Sequence, residues 1–188
     1  PAAPELAAEA APDVDAVLTV REFGRLLRMV GVDCAALDEV PFDNPLGLST
    51  GAATIFGRTG GVMEAALRSA AYLITGENPD FSACDTTAAT PETPWMSREL
   101  AIGDATVRIA VASGLENTSK LLDALESGEA AFDFVEIMAC PGGCVGGGGQ
   151  PIRFNSELAQ TRAGVLNRLD AADKLRYSHE NPDIAKLY

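Results

Sequence analysis

Two cysteines, Cys140 and Cys144, lie four residues apart in a glycine-rich segment. Six of the chain's 18 glycines fall within the eight positions 142–149. Glycine loses more conformational entropy on folding than other residues, so this density after a predicted strand indicates close approach of the backbone to a ligand. The N–H groups of a glycine loop favour an anion, and thiolates bind soft metals. The pair therefore predicts a site for a soft metal or an iron–sulfur cluster.

Other interpretations of this loop stay open on the residues alone. A structural zinc site or a cluster commonly uses four protein ligands, and Cys34 and Cys84 are not at a recognisable ligand spacing from the pair. We interpret these two as structural or free thiols, and a redox-inactive loop with incidental thiols is the alternative. A GxxxxGK[ST] phosphate loop fits less well still, because that order of residues is missing and no lysine follows the glycines. The single histidine, His179, is interpreted as a residue that docks the C-terminal tail.

Composition excludes several classes of protein. The chain has 188 residues, 47% of them apolar, and a formal net charge of −13. This length predicts a single domain over 1–188 with a loose lead-in over 1–12. The negative charge argues against nucleic acid and anionic membranes, and no apolar run approaches the ~18–20 residues of a membrane span. Because Pro1 is not an initiator Met, we expect the chain to start inside a longer protein, so its compartment, cytoplasm or periplasm, stays unassigned.

Alternating strands and helices are predicted to position the cysteine loop. Thr19 and Glu22 form a capping box that predicts a helix start, and Gly31 and Gly76 predict helix ends. The predicted strands cover 13–18, 99–102, 105–112 and 132–138, and the predicted helices cover 20–30, 62–75, 115–125, 156–169 and 171–177. Leu121, Leu122 and Leu125 are predicted to face inward, and Ser156 to cap its helix.

This order of elements predicts an α/β fold. We expect an open, largely parallel sheet of about four strands flanked by helices, with residues 153–188 as a helical tail. The cysteine loop follows the strand at 132–138, and open α/β sheets bind ligands at the carboxyl ends of their strands.

Three segments carry a resemblance to a known family. Residues 136–144 have the sequence EIMACPGGC, and GGGQP follows at 147–151. These residues closely resemble the third H-cluster motif of iron-only ([FeFe]) hydrogenases. Residues 56–68, FGRTGGVMEAALR, resemble the family's glycine-rich turn and helix, with Arg58 where a small residue is common. Residues 178–182 and 187–188 resemble its C-terminal signature, so the resemblance covers nearly the whole chain.

The resemblance implies a reaction and a cofactor. The family interconverts dihydrogen with two protons and two electrons at an H-cluster, a [4Fe-4S] cubane joined through a cysteine sulfur to a di-iron centre. By matching positions, Cys140 would bind the cubane, and Cys144 would bind it and bridge to the di-iron centre. Met138 would contact the di-iron centre in the catalytic pocket. The residues that would line the cofactor pocket are Phe56, Thr59, Gly60, Gly61, Gly142 and Gly143.

The family's first and second motifs, TSCCPxW and MPCxxK, do not occur in this sequence. They would supply the other two cubane cysteines. We therefore expect the chain to be the C-terminal lobe of the hydrogenase domain, excised or made as a separate half, with the N-terminal lobe as its partner. A ferredoxin or cytochrome would carry the electrons. The chain alone is expected to bind no stable H-cluster and to be inactive.

Two further functions stay in view. A non-catalytic, hydrogenase-like iron–sulfur assembly or scaffold protein would keep the ExMACPxGC and GGGQ loop, although residues 56–68 and the dense glycine loop favour the hydrogenase. The third is a folded lobe that binds no cluster at all.

Overall fold

The computed structural model describes residues 14–40, 43, 47–79, 93–152 and 158–187. They group into two compact units. The first consists of the described residues of Pro1–Pro41 and Gly148–Pro151, and the second of those of Phe42–Gly147 and Ile152–Tyr188. The second unit contains the cysteine pair. Within the described ranges, no helix is both long and apolar enough to cross a membrane.

The first unit contains helix α1, Val20–Met29, which begins at the predicted capping box. The Thr19 N–H donates to the Glu22 carboxylate at 2.8 Å, and the Glu22 N–H donates to the Thr19 hydroxyl at 3.3 Å. Each bond satisfies an N–H group that the helix start leaves without a partner. The strand predicted at 13–18 is wrong for residues 14–18, which are irregular and pair with none of the described strands. A polar and apolar alternation alone does not supply the neighbouring strand that a sheet needs.

The second unit contains helices on both sides of a short turn at residues 58–60, the glycine turn. Helix α2, Gly51–Thr54, is capped by the Thr50 hydroxyl and passes through a 3-10 turn, Ile55–Gly57. Helix α3, Gly61–Thr75, follows and ends at Gly76, which has a left-handed φ of +76°. Glycine adopts this conformation without the steric penalty of a Cβ, so the predicted helix and its end are both confirmed.

The sheet consists of β1 (Trp95–Ile102), β2 (Ala105–Ser113) and β3 (Phe134–Met138), in that order. Strands β1 and β2 are antiparallel around the turn at 103–104, and β3 joins β2 in parallel after helix α4, Leu115–Glu126. The predicted α/β fold is confirmed. Within the described ranges the sheet has three strands, one pair antiparallel and one parallel, compared with the expected four or so.

The core lies on both faces of the central strand. Successive residues of β2 point to opposite faces of the sheet. Ile109 and Val111 pack in a cluster with α3, and Ala110 and Ala112 pack in a cluster with α4. Leu121 is fully buried and Leu125 packs against the same cluster, as predicted. Leu122 is 44% exposed, so its predicted inward position is wrong. A rotation of about 100° per residue carries the position after Leu121 away from the sheet.

The C-terminal part contains α5, Ala159–Ala172, and a short α6, Pro182–Leu187. The helix predicted over 171–177 is wrong beyond Ala172. Asp173 is extended, and its carboxylate accepts the Leu175 N–H at 3.0 Å, which stabilises a local turn instead of a helix. The predicted cap Ser156 lies outside the described residues.

Candidate functional site

The loop after β3 holds both cysteines in a defined turn. Cys140 is half-buried and Cys144 is exposed. The Gly143 N–H donates to the Cys140 carbonyl at 3.0 Å, and the Gly147 N–H donates to the Cys144 carbonyl at 3.1 Å. Cys144 also begins a single 3-10 turn, Cys144–Gly146. The two thiols therefore lie on successive, hydrogen-bonded turns of the backbone.

Protein packing accounts for four of the loop's six glycines. A Cβ at Gly149 would lie 2.5 Å from the Thr19 Cβ. A Cβ at Gly143 would lie 2.7 Å from the backbone nitrogen of Thr59, and one at Gly142 would lie 2.5 Å from the Ala159 methyl. One at Gly146 would lie 2.1 Å from a backbone oxygen of the preceding turn. These approaches are closer than real Cβ contacts, so the glycine density reflects contact with neighbouring elements of the chain as well as any approach to a ligand.

A chain of hydroxyl groups joins the glycine turn to the cysteine loop. The Thr59 hydroxyl donates to the Ser113 hydroxyl at 3.3 Å, and Ser113 donates to the Cys140 carbonyl at 3.2 Å. The Gly142 N–H in turn donates to Ser113 at 2.7 Å. Sequence reasoning missed Ser113, although its place at the carboxyl end of a predicted strand was a usable signal.

Glu136 of β3 binds the start of α3. One carboxylate oxygen accepts the Gly60 N–H at 2.5 Å, and the other accepts the Met63 N–H at 2.7 Å. An acidic group is favourable at a helix N-terminus, where N–H groups lack partners within the helix. Burial raises the pKa of Glu136, although these hydrogen bonds and the nearby Arg58 act in the opposite direction. Glu136 thus fixes the glycine turn against the strand that leads into the cysteine loop.

A buried cluster of charges joins α3 to the turn before it and to α5. The guanidinium groups of Arg58 and Arg68 bind the two carboxylate oxygens of Glu64, that of Arg68 at 2.6 Å. Arg58 also donates to the Asn167 side chain at 2.5 Å and to the Thr59 carbonyl at 3.1 Å. The arginine that departs from the small residue common in the resembling family therefore ties the glycine turn to α5.

Asp170 of α5 completes this cluster. Arg68 forms two bonds with its carboxylate, at 2.8 and 2.7 Å, and Arg176 forms a third at 3.2 Å. Burial alone would raise the pKa of Asp170, but the two arginines hold it below its usual value. Burial alone would also lower the pKa of Arg68, but Asp170 and Glu64 raise it above the ordinary range. Within the described residues the Nε of Arg68 is the buried side-chain polar atom that lacks a hydrogen-bond partner.

The structure brings most of the predicted pocket residues to one place. Gly60 is the N-cap of α3 and Gly61 is its first residue. The Thr59 N–H donates to the Gly142 carbonyl, with 3.4 Å between nitrogen and oxygen, so the turn before α3 contacts the cysteine loop directly. Met138 is half-buried at the end of β3. Phe56 is 46% exposed on the 3-10 turn before Thr59, so it presents an apolar surface to solvent in this chain.

Cys34 and the histidine lie elsewhere. Cys34 is exposed in the first unit, and Cys84 lies outside the described residues. His179 stacks on Tyr72 of α3 at 4.2 Å between ring centroids, and its ring nitrogens lie 3.1 Å from the Ser69 hydroxyl and 2.8 Å from the Asn78 side chain. These contacts confirm that His179 docks the C-terminal tail.

The donors of the loop suit an iron–sulfur cluster in kind but not in number. Thiolates are the usual protein ligands of iron–sulfur clusters, and a [4Fe-4S] cubane takes four of them. Within the described ranges, no three His, Cys, Asp or Glu side chains are grouped so that they could hold a metal ion. The described part of the chain thus offers the pair Cys140 and Cys144 as half of such a ligand set.

Two protein-family models match the chain. Residues 2–148 match the C-terminal domain of the iron-only hydrogenase large subunit, and residues 156–188 match the iron hydrogenase small subunit. The second match begins just before α5, so the large-subunit part carries the cysteine loop and the small-subunit part carries α5 and the tail.

Individual relatives agree with the family match. The chain is 46% identical to the NADP-reducing hydrogenase subunit HndD of Solidesulfovibrio fructosivorans over all of this chain and 32% of that protein. It is 32% identical to the cytosolic iron-sulfur assembly component 3 of Mus musculus over 94% of this chain and 37% of that protein. An [FeFe]-hydrogenase structure from Chlamydomonas reinhardtii superposes with a TM-score of 0.68 at 37% identity, covering 89% of this chain and 48% of that one.

The chain spans about a third of the length of the curated relatives it matches. The family match nevertheless covers well over half of the chain, and the superposed hydrogenase reproduces its fold. The chain therefore belongs to the family of the iron-only hydrogenase large subunit, C-terminal domain.

Proposed function

We propose that this chain supplies Cys140 and Cys144 to the H-cluster of an [FeFe] hydrogenase that catalyses the reversible oxidation of dihydrogen to protons and electrons. The observation that supports this most is the position of the two thiols on consecutive turns, with Ser113 bonded to the loop between them. A ligand pair held in this way loses little conformational freedom when it binds iron.

Each predicted site residue has a part in this proposal. Cys140 would hold the cubane, Cys144 would hold the cubane and the di-iron centre, and the thioether of Met138 would lie against the di-iron centre. The cluster, when bound, supplies the iron at which protons and electrons interconvert with dihydrogen. The residues that wall its pocket are Phe56, Thr59, Gly60, Gly61, Gly142 and Gly143.

The other two cubane cysteines come, in this proposal, from the N-terminal lobe of the same hydrogenase. The relatives extend well beyond the matched region, which supports such a partner. A ferredoxin or cytochrome delivers or accepts the electrons. The 46% exposed Phe56 is a side chain that the partner lobe would cover.

The decisive experiment compares the complete protein with the 188-residue chain. After anaerobic maturation and reduction with dithionite, we expect hydrogen evolution from the complete protein, none from its Cys144→Ser variant, and unchanged activity from Cys34→Ser. The chain alone is expected to bind no stable H-cluster and to evolve no hydrogen, because a cluster held by two thiolates keeps open iron positions. Hydrogen evolution from the chain alone would refute this part of the proposal.

A second candidate is a role in iron–sulfur assembly. It is favoured by the 32% identity to the Mus musculus assembly component along nearly the whole chain. The two functions differ in the di-iron centre, whose carbonyl and cyanide ligands give infrared bands. A complete protein that holds iron and sulfide after maturation, shows no such bands and evolves no hydrogen would establish the assembly role instead.

A further inference from the structure

The cysteine loop is held from two sides by different elements. On one side, Ser113 of β2 binds the Cys140 carbonyl and the Gly142 N–H. On the other side, Arg162 of α5 donates through Nη1 to the Val145 carbonyl at 2.8 Å. Val145 is the middle residue of the 3-10 turn that Cys144 begins. The sheet thus holds the backbone at the first cysteine, and α5 holds the backbone at the second.

Close packing of α5 against the loop supports this second contact. A Cβ at Gly142 would lie 2.5 Å from the methyl group of Ala159, and a Cβ at Gly146 would lie 3.1 Å from it. About two turns further along α5, a Cβ at Gly57 would lie 3.0 Å from the Leu166 side chain. Because packed interiors transmit small displacements, a movement of α5 shifts the turn that carries Cys144.

The bond from Arg162 is suited to fixing the direction of a peptide group. A hydrogen bond from a charged guanidinium to a carbonyl is shorter and stronger than one between neutral groups. Orienting the Val145 carbonyl restrains the dihedral angles of the turn in which the Gly146 N–H donates to Gly143 at 2.9 Å. The direction of the Cys144 side chain depends on the same turn.

We propose that Arg162 is a positioning residue for Cys144 and acts through the Val145 carbonyl. The inference rests on the proposed function only in taking Cys144 as a metal ligand. It assigns the two ligands to separate supports, Cys140 to Ser113 and Cys144 to Arg162. The second support lies in the part of the chain that matches the hydrogenase small subunit, so this part helps to build the metal site.

The test is a Cd²⁺ titration of the metal-free 188-residue chain, because Cd²⁺ is a soft ion that two thiolates can bind together. We expect wild-type binding to require both Cys140 and Cys144. Arg162→Met is expected to weaken it roughly tenfold or more, the size of effect that supporting residues of metal ligands show. Arg162→Lys, which keeps a charged donor, should restore most of the affinity. Arg168→Met, an equal loss of charge at an exposed position of α5, should leave the affinity unchanged.

Amide hydrogen exchange separates positioning from unfolding. In Arg162→Met, the Gly146 and Gly147 amides should exchange faster while those of β2 stay protected. If the β2 amides also lose protection in Arg162→Met, the Arg162→Gln variant tests the proposal instead. It keeps a neutral N–H donor and should bind Cd²⁺ with intermediate affinity. Wild-type affinity for Cd²⁺ in Arg162→Met or in Arg162→Gln would overturn the proposal. So would an Arg162→Lys variant that binds Cd²⁺ as weakly as Arg162→Met. The proposal would also fail if the chain kept its full affinity after loss of Cys140 or of Cys144.

The outcomes are distinct from those of the hydrogenase assay. A complete protein that evolves no hydrogen, together with a weakened Arg162→Met variant, would refute the proposed function and leave Arg162 as the support of a metal ligand. An active complete protein with unchanged Cd²⁺ binding in Arg162→Met would refute the role of Arg162 alone.

Discussion

Two arginine–carboxylate pairs in this protein have nearly the same geometry and very different surroundings. Arg68 binds Asp170 through two bonds of 2.8 and 2.7 Å, with both side chains at most 4% exposed. Arg108 binds Asp133 through two bonds of 3.1 and 2.9 Å, with both side chains near 45% exposure. The first pair joins α3 to α5 beneath the candidate site, and the second joins β2 to the residue before β3.

The difference shows that solvent exposure, not bond geometry, sets the cost of breaking such a pair. Removing one partner of a buried pair leaves an uncompensated charge in a medium of low polarity. Removing one partner of an exposed pair leaves a charge that water and salt ions stabilise. Variants of the two pairs and of the hydroxyl network should therefore fall in a clear order of stability.

The largest effect is expected for Asp170→Asn. The change keeps the shape of the side chain but removes one of the two carboxylates, Asp170 and Glu64, that balance Arg68, and breaking a buried pair costs about 3–5 kcal/mol. Urea unfolding of the variant and of Asp123→Asn, an exposed control on α4, measures the difference. Equal losses in the two variants would contradict the comparison.

Acid should reduce this difference. The pKa of Asp170 is held below its usual value in the folded protein. Its contribution to the free energy of unfolding is therefore fully present above the unfolded-state pKa of about 4, and is lost as the pH falls through the lower pKa of the folded state. The free energies of unfolding of wild type and Asp170→Asn should therefore converge as the solution is acidified.

An intermediate effect is expected for Ser113→Ala. The change removes the Ser113 hydroxyl that accepts from the Gly142 N–H, at a cost of about 1–3 kcal/mol for an unsatisfied group. Hydrogen exchange at the Gly142 amide should accelerate more than exchange in α4. Ser97→Ala, at an exposed position of β1, is the matched control and should unfold like the wild type. A Gly142 amide that stays equally protected would show that Ser113 does not support the loop.

The smallest effect is expected for Asp133→Asn. Hydrogen bonds from Arg108 lower the pKa of Asp133 to about 2, so the contribution of this pair is present above pH of about 4 and disappears as the pH falls toward about 2. At neutral pH the melting temperature should fall slightly at low ionic strength and remain unchanged in high salt. A loss as large as that of Asp170→Asn would break the ordering by exposure.

Local signals in the sequence were enough for much of the fold. The capping box at Thr19, the helix end at Gly76 and the strands around 103–104 each depend on a few neighbouring residues, and all are confirmed. The irregular residues 14–18 were missed because none of the described strands pairs with them, and the turn after Ala172 was missed because a single carboxylate stabilises it.

The site was predictable at the cysteine loop and much less so beneath it. The positions of Cys140 and Cys144 follow from the motif, whereas Arg68 and Asp170 are 102 residues apart and no local pattern joins them. Arg58 looked like a departure from the family, and only its neighbours Glu64 and Asn167 explain how the site accommodates it. Long-range partners of this kind appear only when the helices are packed.

The contact between α5 and the cysteine loop also has a consequence for biosynthesis. The ribosome makes residues 140–147 before Ala159 and Arg162, so the loop leaves the exit tunnel before the helix that supports it does. The turn that carries Cys144 reaches its final form only after α5 has been translated and has docked. Under the proposed function, delivery of iron to this loop therefore follows translation and docking of α5.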